Sequence, residues 1–184
     1  MAKPYIGIKQ IFYGVPFAAE VTPASLKTWL TAGTTKEVKN SHDGTWSYSQ
    51  DDPETTDYIN ELSGKPYYRD KTNNGTKTIT FTIGVYDYED KVALQGGSLL
   101  TEGEGQNITT IGWKAPTTPE LINKAIVGVT KTGHYVVFTN ASIVGKVDTQ
   151  EKNLGLGITA VAMDSEAEGV SDEYWIDADA MVEG

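Results

Sequence analysis

The sequence predicts a mainly β fold, namely an antiparallel β sandwich or small barrel with one or two short flanking helices and a long loop. Apolar residues alternate with threonines over residues 78–86, which is the period of a strand with one buried face and one wetter face. Residues 125–147 are typical of two strands joined by a tight turn, and residues 153–163 alternate again. Strands at this spacing with few helical patterns favour a sandwich or barrel.

The N-terminal part of the chain predicts one strand and one short helix. Residues 5–13 are apolar and rich in aromatic and β-branched side chains, which indicates a strand. Residues 22–33 indicate a helix. Thr22 suits its N-cap, Pro23 suits the first helical position, and Gly33 suits its end.

A long polar segment follows two predicted short strands at residues 36–38 and 45–49. Residues 50–76 concentrate prolines, glycines, asparagines and charges, so we predict an extended loop there. Tyr58 and Leu62 are four residues apart, which suits two helical turns within this loop. A connection of this length is usually functional or disordered, and its aromatic residues argue against disorder.

The stretch YDYEDKVALQGG predicts a corner at which a strand ends near Tyr86 and a helix begins. Asp87 can accept a hydrogen bond from an early backbone N–H, and Asp90 stands three residues further on, as in a capping box. Gly96 or Gly97 can supply the left-handed residue that ends the helix. We therefore interpret these acids as helix caps and not as a site.

Two further segments lie outside the clear strand patterns. Residues 98–118 are irregular, with one short strand predicted around residues 108–113. The tail, residues 172–184, predicts one last strand.

Length and composition limit the classes of function. The 184 residues suit one domain, residues 1–184, and the absence of cysteine excludes disulfides, thiolate metal sites and a cysteine nucleophile. The formal net charge of −10 argues against sequence-specific nucleic-acid binding, which needs a clustered basic face. No secretory signal or membrane-length apolar run is visible, so we expect a soluble protein made in a cytoplasm.

No motif predicts catalysis, a cofactor or a metal. Residues 128–134 have the glycine spacing of a phosphate loop, but His134 stands where the lysine belongs, so we predict a hairpin turn. His42 and His134 are both expected to be solvated turn residues. The paired acids are also expected to be solvated surface residues; they are Asp51, Asp52, Glu54, Asp87, Glu89, Asp90, Glu102 and Glu104.

Three stretches carry a resemblance to a known family. TITFTIGVYDYEDKVALQGG runs from a threonine-rich strand into a short helix, AIVGVTKTGHYVVFTNASIVGKVD forms a hairpin, and LGLGITAVAMD alternates near the end. Their order resembles the tail tube proteins of long-tailed bacteriophages and the related tubes of contractile injection and type VI secretion systems. The likeness covers the C-terminal two-thirds, and the N-terminal third matches loosely through KEVKN and TWSYSQDDPETTDYINELSGK.

The resemblance implies a β sandwich whose copies form hexameric rings that stack into a tube, within a virion tail assembled in the bacterial cytoplasm. It implies other tail proteins as partners, no membrane, and DNA that passes through the lumen without specific binding. A long loop in such proteins bridges one ring to the next, and residues 50–76 occupy that place. The implied interface residues are Asp51, Asp52, Glu54, Tyr58, Tyr67, Tyr68 and Arg69. One departure is that strand 78–86 offers threonines, not acids, to a lumen.

Two other functions remain open from the sequence. A non-catalytic ligand-binding sandwich, for example a carbohydrate-binding module, is suggested by ten tyrosines and four tryptophans, with Tyr67 and Trp113 as candidate stacking residues. An enzyme with paired carboxylates is the weakest alternative, because no motif selects one pair of acids.

Overall fold

The structure, a computed structural model, describes residues 3–182, so the last two residues of the predicted tail strand lie outside the described part. The strands are β1 (Gln10–Gly14), β2 (Lys36–Glu37), β3 (Ser47–Gln50), β4 (Thr55–Ile59), β5 (Pro66–Lys71), β6 (Lys77–Ile83), β7 (Ser98–Glu102), β8 (Thr109–Lys114), β9 (Ile122–Val129), β10 (Tyr135–Gln150), β11 (Asn153–Ala162) and β12 (Glu173–Ile176). The helices are α1 (Pro23–Thr31), α2 (Tyr88–Gln95) and a short 3-10 turn, Asp179–Met181. The prediction of a mainly β, antiparallel fold with two short α-helices is confirmed.

One antiparallel sheet organises the molecule in the strand order β2-β1-β9-β10-β11-β6-β3. The long strand β10 pairs with β9 and β12 near its start and with β11 from Ala141 onward. Its register against β9 shifts between Phe138 and Ala141, and such an irregularity bends a strand and increases its twist. The bend allows the first part of β10 to pair with β9 and β12 and its later part to pair with β11.

The sheet curls back on itself because the chain after β2 returns to β6. The His42 amide donates to the Thr82 carbonyl at 2.8 Å, and the Gly84 amide donates to the Asn40 carbonyl at 3.2 Å. Trp46 lies inside this closure, with its ring 6.2 Å from that of Phe81. These hydrogen bonds close the sheet between the segment after β2 and the end of β6.

Two apolar cores lie on opposite faces of β9 and β10. The inner core, enclosed by the curled sheet and α2, contains Ile11, Tyr13, Ile79, Phe81, Ile83, Leu94, Ile126, Val136, Phe138, Ala141, Ile143, Leu156, Ile158 and Ala160. The outer core lies under α1 and contains Phe17, Val21, Leu26, Ala125, Val127, Val137 and Ile176. Alternate residues of the same strand therefore enter different cores, as the period of two requires.

Helix α1 begins as predicted and covers the outer core. The Thr22 side chain accepts from the Ser25 amide at 3.1 Å, and Pro23 occupies the first helical position. Leu26 is fully buried. The helix reaches only Thr31, with Ala32 and not Gly33 as its C-cap.

Two predicted strand boundaries were wrong, and one strand was not predicted. The strand predicted at residues 5–13 begins only at Gln10, because Gly7 has a φ of +60° and breaks the extended chain. Strand β6 ends at Ile83, and Val85 is 72% exposed on the connection to α2. In residues 98–118, β8 confirms the short strand predicted around residues 108–113, but the remainder is not irregular, since β7 pairs with β8 in a hairpin.

Candidate functional site

The hairpin of β4 and β5, residues 55–71, is the most exposed element of the fold and is called the arm below. Its two strands pair only with each other, and every residue in them is exposed to solvent. The prediction of an extended loop at 50–76 was therefore wrong in its centre, as was the helical interpretation of Tyr58 and Leu62. Tyr58 lies in β4 opposite Tyr68, whereas Leu62 lies in the turn and is 98% exposed.

Cross-strand side-chain pairs hold the arm together. The Arg69 guanidinium donates to both carboxylate oxygens of Asp57, with Nη2 2.8 Å from Oδ2. This hydrogen bond lowers the pKa of Asp57 below its ordinary value. The rings of Tyr58 and Tyr68 lie 5.6 Å apart on the neighbouring pair. Solvent-exposed pairs of this kind contribute little stability, and the strands of the hairpin pair with no other described strand.

The arm also presents apolar surface to water. Tyr67 is 70% exposed, and Ile59, Tyr58 and Tyr68 are about half exposed. An isolated two-stranded hairpin is marginally stable in water, and clustered exposed aromatics mark an interaction surface. The arm therefore has the properties of a segment that packs against another molecule.

The base of the arm carries the predicted acids. Asp51, Asp52 and Glu54 are all exposed where the chain leaves β3. The Asp51 amide donates to the Thr76 carbonyl at 2.9 Å, and the Glu54 carbonyl accepts from the Thr72 amide, also at 2.9 Å. The structure thus places all seven predicted interface residues on the arm or at its base.

A second surface is the outward side of β3, β6, β11 and the end of β10, called the polar sheet face below. Small and polar residues occupy most of it: Ser47, Ser49, Thr78, Thr80, Thr82, Ser142, Gly155, Gly157 and Thr159. Val144 and Val161 also lie on this face, together with Lys146, Asp148 and Gln150. Because the neighbouring residues on the same strands fill the inner core, the side chains at these positions lie on the opposite, outward face of the sheet.

Asp148 is the acid that organises the polar sheet face. Its Oδ2 accepts from Thr82 Oγ1 at 2.7 Å and from Gln150 Nε2 at 2.8 Å. These hydrogen bonds, led by that from Thr82, hold the pKa of Asp148 below its ordinary value. Sequence reasoning identified the threonines but missed Asp148, since only the pairing of β10 with β11 and of β11 with β6 brings them together.

The strand-to-helix corner contains a capping site, as predicted. Asp87 Oδ1 accepts from the Asp90 amide at 2.7 Å, and Asp90 accepts in return from the Asp87 amide. Gly96 is the C-cap with a φ of +82°, and Gly97 follows at +88°. The second oxygen of Asp90 accepts from the Tyr13 hydroxyl, so this carboxylate is fully engaged in holding α2 to the sheet.

His134 is buried, so its predicted place in a solvated turn was wrong. It ends the turn between β9 and β10, as predicted, but Tyr5 stacks on its ring at 4.3 Å. Its Nδ1 accepts from the Ala178 amide at 3.2 Å and lies 3.2 Å from Asp177. The N-terminal segment and the tail together cover this histidine, which no local sequence pattern indicates.

Trp113 is not a free stacking platform. Its Nε1 donates to the Gly96 carbonyl at 2.8 Å, and the Lys91 ammonium lies 4.2 Å from its ring centre. These contacts occupy Trp113 at the junction of α2 and β8, whereas Tyr67 is open to solvent.

Two comparisons with known sequences give no match. No protein-family model matches the chain, and no curated protein sequence matches it.

Within residues 3–182, no cluster of three or more His, Cys, Asp or Glu side chains is arranged to hold a metal ion. No helix in that range is long and apolar enough to cross a membrane.

Proposed function

We propose that this chain is the structural subunit of a phage-type tail tube, in which hexameric rings stack and DNA passes through the lumen. The arm is the observation that carries the proposal. A hairpin that extends from the body with exposed tyrosines needs a partner to be well ordered, and in a tube the partner is the next copy. On this proposal the protein is not an enzyme, and its place is the virion tail.

The polar sheet face supports the same proposal from a different direction. It offers hydroxyl groups and glycines, and its charges, Lys146 and Asp148, have opposite signs. Such a surface gives phosphates no cluster of cations to bind, as a DNA conduit requires. The chain's net charge of −10 adds a repulsive field at longer range.

Replacement of the arm tests the proposed function. A variant in which a short Gly-Ser turn replaces residues 55–71 should keep the unfolding free energy of the body, because the arm contributes to neither core. We expect wild type to form rings or tubes in electron micrographs of concentrated protein, and the armless variant to sediment as a monomer.

Point variants provide the matched control for this experiment. The double variant Tyr67→Ala and Tyr68→Ala should weaken assembly, whereas Tyr88→Ala, an exposed tyrosine on α2, should assemble like wild type. Tubes formed by the armless protein would overturn the role of the arm in assembly. The proposed function itself is overturned if wild type stays monomeric in ultracentrifugation and ring-free in micrographs at every salt concentration.

The exposed aromatics of the arm also suit a carbohydrate-binding module, which is the second candidate. Tyr67 is the residue best placed to stack on a sugar ring. Calorimetric glycan binding that Tyr67→Ala abolishes and Tyr88→Ala preserves would favour this function over tube assembly.

A further inference from the structure

A basic pocket of about 400 Å³ lies where β9 ends, between the N-terminal segment, the chain after β2 and the turn before β10. Lys9, Lys39 and Lys131 line it together with His42, and they define the basic pocket below. Asp43 is the one acid in its lining. A concentration of lysines is unexpected on a chain with 25 acids and 15 bases.

The lysines of the basic pocket have no ionic partner among residues 3–182. Lys9, Lys39 and Lys131 form no ion pair with any residue in the described part, 3–182, whereas Lys3, Lys36 and Lys77 all do. Ser41 also lines the pocket, and its hydroxyl is buried without a hydrogen-bond partner. Three lysines without an ion pair and one hydroxyl without a partner thus line the same pocket, and all of them can donate hydrogen bonds to an anion.

The β7–β8 hairpin presents two carboxylates at its tip, Glu102 at the end of β7 and Glu104 in the turn. Glu102 and Glu104 alternate with Gly103 and Gly105, so the tip is narrow and acidic. All four residues are exposed, and neither glutamate forms an ion pair with another described residue. Ile108 and Ile111, 59% and 56% exposed, add apolar surface beside the tip.

The tip and the basic pocket lie at opposite ends of β9. The hairpin leads into β9 at Ile122, whereas the pocket lies beyond Val129 and includes Lys131. Eight residues of strand separate these ends by about 26 Å, while a five-residue hairpin strand reaches only about 17 Å. The hydrogen bond from Trp113 to the Gly96 carbonyl holds the base of the hairpin at the end of α2, so a tip of this reach is available to the pocket of another copy.

We propose that the acidic tip of one copy, Glu102 and Glu104, docks into the basic pocket of the next copy and forms a head-to-tail contact along the tube. A contact between two different patches is heterologous and propagates from copy to copy, as stacked rings need. This inference rests on the proposed function and adds to it a second contact, separate from the arm, that fixes the direction of stacking.

Charge reversal tests the contact. We expect Lys9→Glu with Lys131→Glu to raise the protein concentration needed for assembly at least about tenfold, and Glu102→Lys with Glu104→Lys to do the same. An equimolar mixture of the two variants should recover mixed assembly. The acidic tip of the pocket variant can then enter the basic pocket of the tip variant, and the lysine tip of the tip variant can enter the acidic pocket of the pocket variant. Glu166→Lys with Glu168→Lys makes the same change in net charge as the tip variant at exposed positions elsewhere, so it is the matched control and should assemble like wild type.

Cross-linking tests the same contact without requiring complete tubes. Since the chain has no cysteine, Glu104→Cys protein mixed with Lys131→Cys protein can be joined by a short bis-maleimide at defined positions. We expect cross-linked heterodimers that disappear in 1 M salt, where the Debye length is about 3 Å. Glu168→Cys mixed with Lys131→Cys is the control and should give none.

The outcomes separate this inference from the proposed function. If tubes form, charge reversal does not affect them and no cross-link appears, the inference is overturned and the tube proposal stands. Cross-linked heterodimers without tubes support the contact and count against the tube. The absence of both tubes and cross-links overturns both.

Discussion

Asp87 and Asp90 cap the first turn of α2 at the corner between β6 and α2. Each side chain satisfies the amide of the other, so the first turn of α2 depends on the pair. Replacing an N-cap aspartate by alanine typically costs about 1 kcal/mol. We expect Asp87→Ala to lower the free energy of unfolding in urea by this amount without changing assembly.

Asp87→Asn is the matched control for this prediction, since asparagine also caps helices and should retain most of the stability. A stable Asp87→Ala protein that fails to assemble would contradict the structural role.

Tyr13 gives a prediction about alkaline pH. Burial, followed by the hydrogen bond to Asp90, raises the pKa of Tyr13 above its ordinary value of 10.0. A phenol whose pKa is raised by folding contributes stability in full below pH 10, and that contribution is lost as the pH rises further. The unfolding free energy of wild type should therefore fall more steeply above pH 10 than that of Tyr13→Phe.

Urea titrations at pH 8, 10 and 11 measure this difference, with Tyr67→Phe on the exposed arm as the control that should follow wild type. At pH 8, Tyr13→Phe should itself cost about 1 kcal/mol for the lost hydrogen bond. Parallel slopes for wild type and Tyr13→Phe would show that the ionisation of Tyr13 is not linked to folding.

At the scale of elements, the arm should be less stable than the body that carries it. Its strands are held by one hairpin ladder and by the exposed pair of Arg69 with Asp57. We expect arm amides to exchange with solvent rapidly in the monomer, while those of β9 and β10 in the cores remain protected. In assembled protein, the same arm amides should become protected.

Hydrogen exchange followed by mass spectrometry measures both states. Arg69→Lys, which loses the two-pronged contact with Asp57, should speed arm exchange further and leave the body unaffected. Arm amides as protected as those of β10 in the monomer would mean that the hairpin needs no partner.

The alternation of apolar and polar residues predicted strands whose partners are close in sequence or whose two faces differ sharply in polarity. β6, β9, β10 and β11 follow from alternation, and the caps at Thr22 and Asp87 follow from local chemistry. β4 was missed because Tyr58 and Leu62 have helical spacing, and only pairing with β5 across a turn selects the strand. β7 was missed because its strand character depends on pairing with β8, which begins only after a glycine-rich turn.

The candidate surfaces were predictable only in part. The arm's tyrosines could be identified because exposed aromatics in a long polar segment are locally visible. Asp148 and the basic pocket could not, because their residues come from strands and turns that only the curled sheet brings together. His134 shows the opposite error, in which a turn residue is buried by two distant chain segments.

At the scale of the whole molecule, two cores share one pair of strands. Ala125 and Val127 of β9 enter the outer core, whereas Ile126 between them enters the inner core. Loss of either core would leave one face of these strands exposed to water. Unfolding of the described domain should therefore be a single cooperative transition.

Leu26→Ala tests this coupling from the outer core. Leu26 is fully buried under α1, and truncation of a buried leucine to alanine costs about 2–5 kcal/mol. We expect that loss in one transition, with near- and far-ultraviolet circular dichroism changing together. Leu62→Ala, at a 98% exposed position in the turn of the arm, is the matched control and should leave the transition in place. A separate early transition in Leu26→Ala would show instead that α1 and the outer core unfold independently, and a tube built from such subunits would then depend on the inner core alone.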